Sequence, residues 1–437
     1  MIAVAGGGLT GLSAACALEG QECAVFERER EPGGLCRTIE RDGFAFDLTG
    51  HLLHLRRPEM KSFVGELLAE RLRESPRHAF IHTHGVFTPY PFQVNTHGLP
   101  AAVVRECLVG FIEAWCARRL EPERAEPAHL EEWIQRTFGA GIGRHFMVPY
   151  NRKMWGRELD SVTCEWVSWS VPQPGLDEVV RGAFGVEGRE FGYNPRFLYP
   201  KSGGIRLLPD ALAARVRHLH LGVEVEAVDL RARRLRLSDG TRPRYDALIS
   251  TLPLPELVRR CEGIPEAARA AAAGLRWVRV VNVNLAVRGT VAPGRHWIYF
   301  PEAEFAFYRV GVASNFSDGV APPGCSTVYV EVSERSESPP SPGLQERVVE
   351  DLRRAGILEP GHEVLLSLPL TIDPAYVIYD RHRRDSVPAL LALLQERGIH
   401  SVGRFGAWEY SSMEDALVAG RQAAAAACKA LGSHAPR

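Results

Sequence analysis

Apolar residues come in two short runs at the start of this 437-residue chain. Ile2-Ala3-Val4-Ala5 and Cys23-Ala24-Val25-Phe26 are these runs, and an Ala-rich segment lies between them. Short apolar runs are typical of buried strands, and the longer segment between them is typical of a helix. The pattern therefore predicts that the chain opens with a strand–helix–strand unit of an α/β fold.

The rest of the chain alternates between helical and strand-like patterns. Apolar residues recur at helical spacing in 58–73, 98–120, 128–156, 344–355 and 401–432. Strand patterns occupy 80–83, 223–228, 246–251 and several runs within 277–333, where apolar and polar residues alternate as in a sheet with one covered face. Residues 175–200 are rich in Gly and poor in aliphatic residues, which predicts a mobile surface loop.

These elements predict a discontinuous organisation. We expect an α/β domain formed by residues 1–55, 200–255 and 398–432. Residues 56–199 are expected to form a mostly helical cap that contains the mobile loop 175–200. Residues 256–397 are expected to form an antiparallel β-sheet substrate domain.

A glycine turn joins the first strand to the first helix. Gly6, Gly8 and Gly11 have the G-x-G-x-x-G spacing, which allows a tight turn, a close approach of a pyrophosphate and close helix–strand packing. Glu27 ends the next strand, about 20 residues on, where a carboxylate can accept both hydroxyls of an adenosine ribose. The same carboxylate would repel a 2′-phosphate, which argues against NADP at this site.

A second glycine motif, Pro32-Gly33-Gly34-Leu35-Cys36-Arg37, follows at once. It resembles the second motif of the FAD-dependent amine-oxidase-like flavoproteins, in which the arginine reaches the diphosphate. FAD therefore fits better than NAD. The expected fold class is α/β: a Rossmann-like FAD-binding domain of the GR2 flavoprotein type, with an inserted helical cap and an antiparallel β-sheet substrate domain.

The composition excludes several other classes of protein. The formal net charge is −1, so no global field favours nucleic acid or an anionic membrane. The nine cysteines include no C-x-x-C pair, which indicates reduced thiols without a zinc site. The first strand starts at residue 2, and no apolar run reaches membrane-spanning length. We expect a cytoplasmic enzyme without a metal, and the oligomeric state stays open.

Four segments, in the same order along the chain, resemble the UDP-galactopyranose mutase family, and its eukaryotic-type branch more closely. They are PYPFQVN at 89–95, FMVPYNRKMW at 146–155, WIYFPE with FYR at 297–309, and GRFGAWEY at 403–410. The resemblance covers roughly residues 2 to 425.

The resemblance implies an isomerase that uses reduced FAD. In that family, flavin N5 attacks the anomeric carbon of a nucleotide-linked pyranose and displaces the nucleoside diphosphate, and ring opening and reclosure give the furanose. No electrons are consumed overall. The implied substrate is therefore a UDP-hexose or another nucleotide sugar, and NAD(P)H is a candidate external reductant, although the chain has no second G-x-G-x-x-G unit.

The resemblance also implies roles for individual residues. His51 would lie against the flavin near N5, and Arg309, Tyr299, Tyr376 and Tyr410 would bind the diphosphate. The implied substrate contacts are Tyr90, Phe92 and Gln93 at the uridine, Asn151 and Trp155 at the sugar, and Asn194 on a closing loop. The alternative for Asn151 and Trp155 is ordinary packing on a cap helix. The full set of predicted cofactor contacts is Gly6, Gly8, Gly11, Leu12, Glu27, Gly33, Gly34, Leu35, Arg37, His51, Val225, Gly403, Arg404, Tyr410 and Met413.

Two departures from the family touch the diphosphate and flavin contacts. Ser170 stands where the family has a second diphosphate arginine, and the segment 411–415 is one residue shorter and lacks an asparagine. Loss of one charged contact to phosphate costs about 1.5–3 kcal/mol. Either another arginine substitutes, with Arg152, Arg157 and Arg206 as candidates, or the ligand differs.

Two other functions stay open on the sequence. The first is an amine-oxidase-like oxidase, dehydrogenase or desaturase, which shares the FAD scaffold but transfers a hydride from carbon. The second is a degenerate mutase that binds a sugar nucleotide without turning it over. Peroxide formation in air would distinguish the first of these from a mutase.

Overall fold

The computed structural model describes residues 1–121, 125–167, 171–186 and 195–432. Ser170 and Asn194 lie outside these residues. The strands are β1 (Ile2–Ala5), β2 (Cys23–Glu27), β3 (Thr38–Arg41), β4 (Phe44–Asp47), β5 (Leu72–Pro76), β6 (Ala79–Thr83), β7 (Val86–Pro89), β8 (Arg196–Pro200), β9 (Leu219–Leu221), β10 (Val225–Asp229), β11 (Arg234–Leu237), β12 (Ala247–Ser250), β13 (Cys261–Glu262), β14 (Trp277–Arg288), β15 (Trp297–Tyr299), β16 (Arg309–Val312), β17 (Cys325–Arg335), β18 (Glu363–Val377) and β19 (Ile399–Ser401). The helices are α1 (Leu9–Ala17), α2 (Pro58–Leu68), α3 (Ala101–Leu120), α4 (Leu130–Ile142), α5 (Val148–Trp155), α6 (Leu176–Ala183), α7 (Leu207–Ala213), α8 (Leu254–Arg260), α9 (Glu266–Ala273), α10 (Leu344–Arg354), α11 (Arg381–Glu396), α12 (Gly403–Gly406) and α13 (Met413–Gly432).

A parallel sheet collects segments from both ends of the chain. Its strand order is β19-β12-β1-β2-β9, and every neighbouring pair is parallel. All four residues of β1 are buried, as its continuous apolar run predicts for a strand covered on both faces. A Cβ on Gly11 would lie 2.0 Å from the Gly6 carbonyl oxygen, so glycine is needed where α1 crosses the turn.

The second large sheet is antiparallel except at one junction. Its order is β18-β14-β17-β16-β15-β6-β7, and β15 pairs with β6 in parallel. The β6–β7 hairpin lies within the segment that we expected to form the cap, yet it completes this sheet, with Ile81 opposite Tyr299. The assignment of all of 56–199 to the cap is therefore wrong for this hairpin. Ile81 is fully buried in the sheet. The sequence pattern of 80–83 predicts a strand, but it does not indicate that β15 is the neighbouring strand.

The cap helices pack through glycine contacts. A Cβ on Gly139 would lie 2.0 Å from the Gly110 carbonyl oxygen, which brings the backbones of α3 and α4 together. Gly139 has a φ of +78°, and a π-helical turn at Gly143–Met147 follows before α5 begins. The predicted continuous helix over 128–156 is therefore interrupted at a residue that tolerates left-handed backbone.

Residues 175–200 are not one continuous loop. The helix α6 occupies Leu176–Ala183, and the Glu178 carboxylate accepts the Gly175 N–H at 2.7 Å, which caps its first turn. Strand β8 follows at Arg196–Pro200 and pairs with β5. The predicted loop is wrong at these two elements. The helix α6 is short and has few apolar residues, and glycines lie in and around it, so the sequence pattern does not indicate a helix there. The division of the chain into domains otherwise stays a prediction.

Candidate active site

One large cavity runs from the glycine turn of the parallel sheet to the covered face of the antiparallel sheet. Its volume is about 1350 Å³. Pockets for single small ligands usually measure about 300–1,000 Å³, so this cavity can hold an extended dinucleotide together with a second ligand. We call the part next to the glycine turns the dinucleotide end and the part lined by tyrosines and arginines the substrate end.

The dinucleotide end is a backbone cradle. Gly6, Gly8, Gly33 and Gly34 line it, and Gly6 and Gly33 have φ values of +102° and +114°. A Cβ on Gly34 would lie 3.2 Å from the Gly8 Cα, so side chains would fill the space between the two turns. The predicted glycine motifs therefore meet at one surface that a diphosphate can approach.

Glu27 and Arg37 are held in fixed orientations beside this cradle. The buried Glu27 carboxylate accepts the backbone N–H of Gly7 at 2.6 Å and of Glu29 at 2.9 Å. Arg37 donates from Nε to the Gly34 carbonyl at 2.9 Å and from Nη1 to Glu29 at 3.2 Å. Both line the cavity, as do the predicted contacts Leu35, Val225, Gly403 and Met413.

Three predicted contact residues do not line the cavity. Gly11 and Leu12 are buried in the packing of α1, where Gly11 permits the close backbone contact described above. Phe92 is fully buried and stacks on Phe146, with ring centroids 5.2 Å apart. These residues position the neighbouring turns, and their contact with a ligand stays a prediction.

His51 lines the cavity as a neutral imidazole. Its burial is the main cause that lowers its pKa to about 4, and the positive charge of Arg404 lowers the pKa further. Nδ1 lies 3.2 Å from the Thr49 carbonyl oxygen, which can only accept a hydrogen bond. Nδ1 therefore carries the proton, and Nε2 is left as an acceptor.

A row of polar side chains crosses the antiparallel sheet at the substrate end. Tyr299 pairs with Arg309 across β15 and β16, and Arg309 pairs with Glu331 across β16 and β17. Arg309 Nη2 lies 2.6 Å from both Glu331 carboxylate oxygens. Residues opposite each other in a ladder share a face, so the sheet brings this tyrosine and this ion pair together.

Glu331 is a site residue that sequence reasoning missed. Its side chain is only 1% exposed, and it also accepts the hydroxyls of Thr49, at 2.5 Å, and of Tyr308. Burial alone would raise its pKa, but the Arg309 charge and these hydrogen bonds hold the pKa below its ordinary value. The available signal was an acid between Val330 and Val332, in the buried middle of the strand.

Aromatic rings form the walls of the substrate end. Tyr376 and Tyr410 stack with centroids 6.0 Å apart, and the Arg404 guanidinium lies within 5.2 Å of both ring centroids. Tyr90 contacts Tyr299 at a centroid distance of 5.3 Å. Each of these predicted residues lines the cavity, together with Tyr150 and Tyr308, which the sequence analysis did not single out.

The cap contributes Asn151 and Trp155 to the same cavity. Trp155 is buried and packs edge-on against Tyr376, with ring centroids 6.2 Å apart. Asn151 donates from Nδ2 to the Met147 carbonyl at 2.8 Å, one turn earlier in the helix. Both residues therefore line the cavity and also pack in the cap, so their two interpretations are compatible.

Gln93 presents an oriented amide to the cavity. Its Nε2 donates to the Pro172 carbonyl at 2.7 Å, so its Oε1 points away from that carbonyl. The side chain is 1% exposed, and Oε1 has no hydrogen-bond partner within the described residues. A buried carbonyl oxygen without a partner favours a ligand that offers an N–H group.

The three arginines named as candidates to replace the missing one do not line the cavity. Arg152 pairs with Glu131 and Glu158, Arg157 pairs with Glu337, and Arg206 pairs with Asp210. The structure therefore gives no support to these three candidates, and the alternatives of another arginine or a different ligand stay open. Among the described residues, the arginines that line the substrate end are Arg77, Arg309 and Arg404.

No group of three His, Cys, Asp or Glu side chains in the described part of the chain is arranged to bind a metal ion. None of the described helices has the length and apolarity required to cross a membrane.

Comparison with known proteins identifies the class to which this fold and site belong. The chain belongs to the family of flavin containing amine oxidoreductases, whose family model matches residues 9–428. The expected fold class and the expectation of a flavin are confirmed, and the glycine cradle, Glu27 and Arg37 fit the FAD of this class.

Within that class, the structure is similar to reduced UDP-galactopyranose mutase. The TM-score is 0.91 and the identity 28%, over 100% of this chain and 96% of the other. The expected resemblance is confirmed. A putative protoporphyrinogen oxidase from Exiguobacterium sp. 255-15, at 15% identity and a TM-score of 0.73 over 97% of this chain and 98% of that one, shares the fold alone.

Curated relatives with similar sequences are oxidases. Coproporphyrinogen III oxidase of Mycobacterium tuberculosis (strain ATCC 25618 / H37Rv) is 26% identical over an alignment of 311 positions, which covers 67% of this chain and 66% of that relative. Protoporphyrinogen oxidase 2 of Arabidopsis thaliana is 24% identical over 58% of this chain and 57% of its own. The chain thus spans less than two thirds of the length of these relatives.

Proposed function

We propose that this protein is a flavin-dependent mutase that interconverts the pyranose and furanose forms of a UDP-hexose. The observation that carries the proposal is that the amide of Gln93 and the partly buried guanidinium of Arg309 line one cavity together with the dinucleotide cradle. The similarity to a solved UDP-galactopyranose mutase over the whole chain supports the same activity.

The base is the first part of the ligand that these contacts select. Gln93 Oε1 can only accept a hydrogen bond, so the ring edge that faces it must carry a donor. Uracil has an N–H at N3, whereas cytosine has a lone pair at N3 and only its exocyclic amino group as a donor on this edge, so an acceptor placed opposite N3 favours uracil. Tyr90 supplies an aromatic face on the same loop, against which a pyrimidine can stack.

The second part of the ligand that these contacts select is the leaving group, a diphosphate. Negative charge grows on a diphosphate as its bond to the anomeric carbon breaks, and fixed cations and hydroxyls stabilise that charge. Arg309 Nε is buried without a partner in the described residues, and the hydroxyls of Tyr299, Tyr376 and Tyr410 line the same end. We propose that these groups bind the diphosphate.

The cofactor would be held by the glycine cradle, Glu27 and Arg37. When bound in its reduced form, the flavin supplies the nucleophile for the anomeric carbon and the electron pair that returns at the end of the cycle. His51 carries no proton at Nε2, so it can accept a hydrogen bond or a proton from a group in the cavity.

The sugar contacts and the reductant complete the proposal. Asn151 and Trp155 would contact the sugar, since both line the cavity beside Tyr376. Because only reduced flavin is competent in the proposed reaction, the enzyme needs an external reductant, for which NAD(P)H is our candidate. Cytoplasmic localisation and the role of Asn194 stay predictions.

The test is isomerisation under controlled reduction. FAD-loaded protein is reduced anaerobically with dithionite or with NADPH and incubated with UDP-galactopyranose, and the furanose product is separated by chromatography. We expect product with reduced protein and none with oxidised protein. Absence of product, together with a flavin spectrum that UDP does not perturb, would contradict the proposal.

The oxidase function is the second candidate, because the curated relatives are porphyrinogen oxidases. The same protein, oxidised and in air, is supplied with coproporphyrinogen III while peroxide and porphyrin fluorescence are followed. Oxidation of coproporphyrinogen III without isomerisation of UDP-galactopyranose would show that the protein is an oxidase and not a mutase.

A further inference from the structure

The cap helix α3 carries apolar residues on the side that the protein leaves exposed. Its buried side packs against α4 through the glycine contact described above. On the opposite side Val109 is 42% exposed and Ile112 is 37% exposed, and Ala102 and Cys116 are exposed as well. A surface helix normally presents polar residues to solvent, so a row of apolar residues there favours a contact with another protein surface. We call these four residues the α3 stripe.

Two opposite charges flank the centre of the α3 stripe. Arg105 lies four residues before Val109, Glu113 lies four residues after it, and both side chains are exposed. Residues that are four apart lie on the same side of a helix. The stripe therefore has a positive charge one turn before its centre and a negative charge one turn after it.

This arrangement is complementary to a second copy of itself that runs antiparallel. With a two-fold axis at Val109, each residue faces the one that lies equally far on the other side of Val109 in the second copy. Arg105 then faces Glu113 of the partner subunit, and the symmetry forms this ion pair twice. Ala102 faces Cys116 of the partner subunit, so small apolar side chains meet at both ends. In a parallel pair each charge would lie beside its own copy, and like charges repel.

We propose that two copies of this protein associate through the α3 stripe as a two-fold dimer with antiparallel α3 helices. The inference does not depend on the proposed function, because no residue of the stripe lines the cavity. The apolar contacts supply the attraction, and the two exposed ion pairs mainly determine orientation and register.

The size of the stripe indicates how strong the association is. The helix has 20 residues and is about 30 Å long. One exposed helix face is a small interface compared with those of permanent dimers, which bury more than about 2,000 Å² in total. We therefore expect a reversible dimer with a Kd on the order of 10 µM.

The experiment is sedimentation equilibrium of the full-length, FAD-loaded protein from about 1 to 100 µM, on both sides of the expected Kd. The variants are Arg105→Glu, Glu113→Arg and the double variant that carries both changes. Lys61→Glu is the matched control, because it reverses a charge at an exposed position of α2. Flavin content and melting temperature verify that each variant is folded.

We expect the wild type and Lys61→Glu to dimerise with the same Kd. Each single reversal places like charges opposite each other at both symmetry-related positions, so it should weaken the dimer about 10-fold. The double variant forms both pairs again with exchanged charges and should return to within about threefold of the wild type. A wild type that stays monomeric at about 100 µM, well above the expected Kd, would overturn the inference. Equal Kd values for all variants, or a double variant as weak as the single ones, would also overturn it.

A cysteine at the axis tests the register independently. Two antiparallel helices in contact lie about 8–10 Å apart, which brings the two copies of position 109 within disulfide distance. Val109→Cys combined with Cys116→Ser should therefore form a disulfide between two copies on mild oxidation. The wild-type Cys116 should not, because it faces Ala102 of the partner subunit. Crosslinking of wild-type Cys116 without crosslinking of the Val109→Cys variant would contradict the proposed axis.

Discussion

Arg309 and Glu331 face each other across two strands of the antiparallel sheet, with the Arg309 Nη2 atom 2.6 Å from both carboxylate oxygens. The Glu331 carboxylate is buried and the Arg309 side chain is partly buried, and Thr49 and Tyr308 add hydrogen bonds to the same carboxylate. Glu331 thus orients Arg309 and balances its charge when no phosphate is bound. We therefore expect the diphosphate of a bound nucleotide to interact with Arg309, the same cation that pairs with Glu331.

Glu331→Gln should destabilise the protein by about 3–5 kcal/mol, because it leaves the buried Arg309 charge without a counter-charge. UDP should restore much of this loss, since its diphosphate would supply the missing negative charge. The measurement is the melting temperature of FAD-loaded protein with and without saturating UDP.

Glu334→Gln is the matched control for that measurement. Glu334 forms a buried pair with Arg279 at 2.9 Å across β17 and β14 of the same sheet, and neither residue lines the cavity. This variant should also be destabilised, but UDP should raise its melting temperature no more than it does in the wild type. An equal UDP response of both variants would show that phosphate does not meet Arg309.

Gln93 should set the preference for uracil. It lines the cavity, its Nε2 is bound to Pro172, and its buried Oε1 is an acceptor without a partner within the described residues. The wild type should therefore bind UDP about 10- to 100-fold more tightly than CDP, the range given by leaving a buried polar group unsatisfied. Gln93→Met should remove this preference, whereas Gln135→Met, at an exposed position of α4, should retain it. Calorimetry with UDP and CDP measures both affinities for each protein. An unchanged ratio of the two affinities in Gln93→Met would contradict the proposed contact between Gln93 and uracil.

His51 should make stability depend on pH in the acid range. Its pKa falls from about 6.5 in the unfolded chain to about 4 in the folded protein, mainly through burial. Between these values the unfolded chain binds more protons, so the contribution of His51 to stability is present above pH 6.5 and is lost as the pH falls to 4.

His51→Gln should remove this dependence. The difference in unfolding free energy between wild type and variant should change by about 3 kcal/mol between pH 6.5 and 4, at about 1.4 kcal/mol for each unit of pKa. Urea unfolding of the FAD-loaded proteins across this range measures it. Parallel curves for the two proteins would indicate that His51 is protonated in the fold.

Local motifs could be predicted from the sequence, and pairings across the sheets could not. The glycine turns, Glu27 and Arg37 lie within one βαβ unit, where spacing determines geometry. Arg77 and Glu331 reach the substrate end through the pairing of β6 with β15 and of β16 with β17, which no local period encodes. For the same reason the β6–β7 hairpin was assigned to the cap. The predicted roles of the lining residues stay predictions until ligands are tested.

The contact between α1 and α13 tests the packing on which the dinucleotide end depends. A Cβ on Gly420 would lie 2.2 Å from the Thr10 carbonyl oxygen and 2.8 Å from the Ala14 nitrogen. Both are backbone atoms of α1, so they can move away only if the helix backbone moves. Gly420→Ala should therefore separate the two helices, lower the unfolding free energy by about 1–3 kcal/mol and weaken FAD binding. Gly65→Ala, on the exposed face of α2 with no atom within 4 Å of the new methyl group, should instead stabilise by about 0.5–1 kcal/mol. Chemical unfolding and FAD titration of both variants measure the contrast. If Gly420→Ala melts like the wild type and keeps its FAD, then the approach of these helices does not determine the shape of the cofactor site.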